Sequence, residues 1–281
     1  MDSIIVQAVI MGIVQGLTEF LPISSSGHLI IVPYVLGWDD PFITSLAFSV
    51  MLHLGTLAAL LAYFRADWLR IVPAGFAALR DRSFQGHPGG RLAWLLIAAT
   101  IPAALAGFLL NDIVDKAFHD GGRTAATVVA TMLVVGGVVL WLADRLGRSN
   151  RRIEDVTFPI SIAIGAAQAL ALIPGISRSG ISISAGRFAG LDRESAARFS
   201  FLMATPITAG AILFEVRKLV TGETGVHVEL VPLIVGMLSA FVAGVFAIGV
   251  LLRYLRTHSL TIFVIYRFVL AACVLAFVAT R

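Results

Sequence analysis

Apolar residues run almost unbroken through six stretches of the chain, roughly 44 to 64, 92 to 110, 124 to 143, 196 to 217, 229 to 252 and 259 to 279. A helix needs about 20 such residues to cross a bilayer, so the pattern predicts six transmembrane helices. Two further apolar segments, 2 to 36 and 157 to 190, are broken midway by a proline and a Ser/Gly-rich turn. Their second arms of about ten residues rise only ~15 Å, half of a hydrocarbon core. The pattern therefore predicts two re-entrant helix-turn-helix hairpins, each returning to the side from which it came.

The two broken segments repeat one another. Residues 12 to 30 read GIVQGLTEFLPISSSGHLI and residues 165 to 183 read GAAQALALIPGISRSGISI. Without a gap, Gly12, Gln15, Leu17, Ile23, Ser24, Ser26, Gly27 and Ile30 recur 153 positions later. Each half, about 1 to 143 and 157 to 281, then holds one hairpin and three crossings. Three is odd, so the second half is inverted relative to the first within a single membrane domain, an architecture that brings broken helices together near the bilayer midplane.

Composition agrees with a membrane protein. Hydrophobic residues make up 58% and charged residues 14%, with a mean hydropathy of +0.92, against about 25% charged in soluble chains. The net charge of +4 resides in loops and is no nucleic-acid footprint. The single cysteine, Cys273, excludes an internal disulfide. No basic stretch precedes the first apolar run, so no cleaved signal peptide is expected. With re-entrant hairpins, fourteen basic residues fall on one side and five on the other (Lys116, Arg123, Arg217, Lys218 and Arg281). Full crossings would divide them twelve to seven, and cytoplasmic loops favour Lys and Arg, so both termini are expected outside the cytoplasm. The loop 65 to 91, with Trp68, Leu69, Val72, Phe76 and Leu79, is expected to lie at the membrane interface.

Nearly all reactive side chains within apolar sequence lie in the two repeats. Ionisable groups at membrane depth are costly and mark function. Arg178 needs an anionic partner, for which Glu19 and a bound phosphate are both candidates. The turns SSSG and SRSG each precede a helix, where backbone N–H groups and the hydroxyls of Ser24, Ser26, Ser177, Ser179 and Ser182, with Gly27, can converge on an anion. Arginine adds a planar fork suited to phosphate oxygens. Histidine titrates near neutral pH, which makes His28 a proton carrier. Gln15 and Glu19, four residues apart, share a helix face and offer two oxygens to a divalent cation such as Mg²⁺ or Ca²⁺, which is commonly shared with substrate phosphates.

Plainer readings compete. A Ser/Gly turn can serve close helix packing, Gln15 and Gln168 can bond between helices, and His53 reads as a packed histidine. His87 reads as solvated, Glu215 and Arg217 as interfacial, and Arg267, beside Tyr266, as paired toward the opposite interface.

At QGLTEFLPISSSGHL and PGISRSG the sequence resembles the undecaprenyl-diphosphatase family of bacterial membrane proteins, also known from bacitracin resistance. The family's acidic motif falls on Gln15 and Glu19, with the following Ser and His on Ser25 and His28. Its second motif falls on Pro174, Gly175, Ser177, Arg178, Ser179 and Ser182, the last replacing a usual Thr. The resemblance implies hydrolysis of C55 undecaprenyl diphosphate to undecaprenyl phosphate and inorganic phosphate in the bacterial inner membrane, recycling the lipid carrier of cell-wall synthesis. It assigns Arg178, Ser177 and Ser179 to the diphosphate, Glu19 with Gln15 to the cation, and His28 to general-base or nucleophile duty. Ser25 would position phosphate or attack it. A second copy of the chain is a further candidate partner. A polyprenyl-phosphate transporter or flippase is the alternative, because inverted repeats with broken helices serve transport. SSGH and Ser177-Arg178 are also similar to phosphatidic-acid-phosphatase motifs, but the His expected six residues after the Arg is Ser184.

Overall fold

Proline and glycine punctuation sets the helix limits. The structure, a computed structural model, describes residues 2–118, 122–221 and 228–280. Arg281 and the side chains of Lys116, Glu215 and Lys218 lie outside the described residues. Helix α1 (Asp2–Phe20) stops just before Pro22, whose ring disfavours a helical residue ahead of it. Ser24 caps α2 (Ser25–Leu36), which ends at Gly37 in the left-handed region. The second repeat follows the same plan: α7 (Phe158–Gln168), a 3₁₀ turn over Ala169–Leu172, then α8 (Arg178–Phe188) capped by Ser177.

The long elements are α3 (Leu46–Tyr63), α5 (Pro88–Phe118), α6 (Gly122–Leu146), α9 (Arg193–Val220), α10 (Leu230–Leu255) and α11 (Thr261–Ala279). They match the six predicted runs. The segment expected at the interface contains helix α4 (Arg65–Arg80), which exposes Leu69, Val72, Phe76 and Leu79 while Trp68 packs on the core. His87 bonds Asp81 at 3.0 Å.

Among the described residues seven helices are long and apolar enough to cross a membrane, the seventh being α1. The two hairpins are thus unequal. At 1.5 Å per residue α1 rises about 28 Å, whereas α7 rises about 16 Å.

Helix directions follow from contact register. Gly12 opposes Gly236 and Gly16 opposes Ala240, so α1 and α10 run parallel. Gly55 opposes Met237 and Ala59 opposes Gly244, so α3 is parallel to both. A segment 2 to 36 that crossed once would leave α3 antiparallel to α1. The observed register instead returns the chain to its starting side. Helices α6 and α11 are antiparallel, with Gly137 against Phe268 and Asp144 against Leu260.

The repeated glycine is explained by close approach. A Cβ on Gly12 would lie 2.2 Å from the Gly236 carbonyl oxygen, and one on its counterpart Gly165 would lie 1.9 Å from that of Ala99. Each hairpin's first arm therefore packs backbone to backbone on a helix of the other half, α1 on α10 and α7 on α5. Lipid supplies no hydrophobic drive between helices, so small residues and tight van der Waals contact hold such pairs. Directly after Glu19, Phe20 packs edge-on against Phe201 of α9 with centroids 5.4 Å apart, fixing the last turn of α1.

Candidate active site

Both repeat turns converge because each hairpin's broken point sits at the other's. Ser24 and Ser177 occupy equivalent positions with φ of 75° and 76°, a region that strains residues other than glycine by about 1–3 kcal/mol. In each case the hydroxyl accepts from the N–H three residues on, Gly27 at 3.3 Å and Gly180 at 3.1 Å. These caps start the two short helices with their N-termini aimed at the junction. Cross-bonds stitch the turns together: Gly175 N–H donates to Ser24 Oγ at 3.2 Å and Ser179 Oγ donates to the Leu21 carbonyl at 3.1 Å.

At the junction Glu19 is buried, and both carboxylate oxygens are engaged. Oε1 accepts from the Arg178 guanidinium. Oε2 accepts from Ser25 Oγ at 2.5 Å and from Gln15 Nε2 at 3.1 Å, with His53 Nε2 3.5 Å away. Arg178 also donates to Thr208 Oγ1, and its side chain retains 22% exposure against 3% for Glu19. The ion pair thus joins the two halves, with the arginine on the accessible side. Coulomb attraction at this depth is strong, yet it must offset the desolvation of both groups.

The structure brings Gln15, Glu19, Ser25 and Arg178 together, with Ser24, Gly27, Ser177 and Ser179 forming the frame. Ser26 is exposed, with its hydroxyl 3.4 Å from that of Ser24. Two expected residues point elsewhere. Ser182 Oγ donates to the Arg178 carbonyl at 2.7 Å and lies 2.6 Å from Ser200 Oγ, so its hydroxyl serves the contact between α8 and α9. His28 has Nδ1 2.6 Å from the Ser24 carbonyl and Nε2 2.7 Å from the Tyr266 hydroxyl, with no bond to Glu19 or Arg178 among the described residues.

Three residues of this neighbourhood escaped sequence reasoning, and Arg267 was assigned the wrong surroundings. His53 touches Glu19 because α1 and α3 lie side by side on α10, and no local pattern encodes that. Thr208 is one hydroxyl within an apolar helix. The adjacent polar pair Tyr266 and Arg267 inside an apolar run was a usable signal. Arg267 is fully buried and pairs with no interface: its Nη2 donates to the carbonyls of Gly175 (3.0 Å) and Ile176 (2.5 Å), while Nε and Nη1 have no hydrogen-bond partner among the described residues. It clamps the turn that leads into Ser177 and Arg178.

For a cation, no group of three or more His, Cys, Asp or Glu side chains converges among the described residues. The described residues alone make no closed metal cage. Gln15 Oε1, however, is buried beside Glu19 without a hydrogen-bond partner among the described residues. Two protein oxygens fit a divalent ion that completes its shell with substrate phosphate oxygens.

Residues 8–273 match the family described as Bacitracin resistance protein BacA. Undecaprenyl-diphosphatase from Gemmatimonas aurantiaca is 46% identical across 98% of both chains. The protein of that name from Thermomicrobium roseum is 47% identical across 97% of this chain and 98% of its own. With such likeness spanning nearly every residue, both repeats and the Glu19–Arg178 junction included, the chain belongs to the BacA family of bacitracin resistance proteins.

Proposed function

We propose that this multi-pass membrane enzyme hydrolyses undecaprenyl diphosphate to undecaprenyl phosphate and inorganic phosphate. Family membership gives the reaction, and the Glu19–Arg178 contact across the two repeats carries its location. In this reading the two halves are inverted repeats, supported by the antiparallel run of the corresponding helices α6 and α11. The protein sits in the bacterial inner membrane with both termini extracytoplasmic, supported by the arginine asymmetry. A homodimer is carried over as a candidate assembly.

The diphosphate takes over the Arg178 fork, which suits phosphate oxygens better than a point charge does. The capped turns at Ser24 and Ser177, with the hydroxyls of Ser26 and Ser179, line the headgroup. Once its arginine turns to the diphosphate, the Glu19 carboxylate faces Ser25, a hydroxyl already bonded to it. Ser25 Oγ attacks the terminal phosphorus and passes its proton to Glu19. The bridging P–O bond breaks, and undecaprenyl phosphate leaves. Water then attacks the phosphoserine, His28 accepts its proton after releasing Tyr266, and inorganic phosphate departs as Ser25 is reprotonated. Arg178 stabilises the charge in both steps. Gln15 and Glu19 would hold the divalent cation, whose chemistry is to neutralise diphosphate charge.

Phosphate release from C55 diphosphate by purified protein in detergent, with and without EDTA and with Glu19→Ala as control, tests this reading. Detergent offers no two sides, so turnover there also excludes transport as its source. No release by wild-type protein would refute the proposal.

A further inference from the structure

Away from the Glu19–Arg178 junction, a cavity of about 870 Å³ opens at the arginine-rich end, where the starts of α4, α5 and α9 meet the end of α10. Arg70, Arg91, Arg152, Arg193, Arg198 and Arg256 line it, against four carboxylates. Three of these arginines are neutralised: Arg198 by Asp67 at 2.6 Å, Arg256 by Glu194 at 2.9 Å, and Arg193 by Asp144 at 2.5 Å. Among the described residues, none of the other three has a carboxylate to itself. Among the described residues Arg91 donates to the carbonyls of Glu154 and Val156, at 3.0 and 2.6 Å, and to no carboxylate. Arg70 stands 3.4 Å from an Asp67 already taken by Arg198. Arg152 makes no ion pair among the described residues.

Of the carboxylates left, Asp192 caps the start of α9 by accepting from Ser195 N–H at 2.7 Å, and Glu154 alone remains on the rim. The wall therefore carries a positive excess around a space large enough for a headgroup. Beside it, α4 exposes Leu69 (77%) and Phe76 (71%), about two turns apart on the helix that bears Arg70. An apolar face next to a basic pocket at a membrane boundary is the arrangement that takes anionic lipid.

We infer that this cavity binds a phosphate group, presented by an anionic phospholipid whose acyl chains lie along the apolar face of α4. Free phosphate shares the headgroup chemistry and lacks the chains. The site is separate from the hydrolytic centre, so the inference stands whether or not the proposed reaction is correct.

The test uses the full chain in detergent, titrated separately with phosphatidylglycerol, phosphatidylcholine and inorganic phosphate, and read by native mass spectrometry and unfolding midpoint. Phosphatidylglycerol is expected to bind and raise the midpoint, and Arg70→Gln/Arg152→Gln to bind it roughly thirtyfold more weakly. Hydrolysis of C55 diphosphate by that variant in detergent should match wild type, which certifies its fold. Arg152→Gln alone, in an exposed loop, serves as a second variant with a smaller loss. Stabilisation by inorganic phosphate at the same concentrations as the lipid would keep the phosphate site and assign it a soluble ligand. Equal retention of phosphatidylcholine and phosphatidylglycerol, or unchanged lipid binding in the double variant, would overturn the inference.

Discussion

Removing both members of the Glu19–Arg178 pair should cost less than the two single losses added together. In Arg178→Gln the Glu19 carboxylate stays buried at 3% exposure with only Ser25, Gln15 and His53 around it. Breaking a buried pair this way costs about 3–5 kcal/mol. Glu19→Gln leaves a cation that is 22% exposed and still bonded to Thr208, so its cost is smaller, about 1–3 kcal/mol. The double variant leaves two neutral amides within reach of each other. It should be more stable than additivity allows by about 2 kcal/mol, within the usual range for contacting residues. Thermal unfolding of the four proteins in one detergent measures the cycle. At on the order of 2 °C per kcal/mol for a chain of this size, Arg178→Gln should lower the midpoint by roughly 6–10 °C. Losses that add within about 0.5 kcal/mol would mean that the two side chains do not meet.

His28→Ala should fold and insert but hydrolyse lipid diphosphate at least about a hundredfold more slowly, as removal of a general base does; near wild-type turnover would remove His28 from the chemistry. Gly165→Val places a side chain where the Ala99 carbonyl lies 1.9 Å away and must push α7 off α5, so the purified protein should unfold at markedly lower temperature than wild type. Arg267→Met releases the Gly175 and Ile176 carbonyls and with them the turn that delivers Arg178. A misplacement of about 1 Å can cost ~10² in rate, so kcat should fall by that order in steady-state assays while C55 diphosphate still binds.

Much of this architecture could be read in the chain because its signals are local. The Gly12/Gly165 and Ser24/Ser177 recurrences mark a close helix approach and a strained cap, both set by a few neighbouring residues. Apolar length located the six long helices, although it did not separate a 19-residue α1 from a half-depth arm. The site was only partly legible. Glu19 and Arg178 stood out as charges in apolar sequence, and the repeat tied them together. His53, Thr208 and Tyr266 join them through packing among α3, α9 and α11, which no spacing within one helix reveals. Ser182 shared the motif but spends its hydroxyl on Ser200, a partner eighteen residues away on the next helix.

The most direct test of a pooled diphosphate site is single-turnover hydrolysis of C55 diphosphate by Arg178→Lys. Lysine keeps the positive charge and discards the fork. The account predicts a rate at least about a hundredfold below wild type with the unfolding midpoint largely retained. Wild-type rate and affinity in that variant would contradict it.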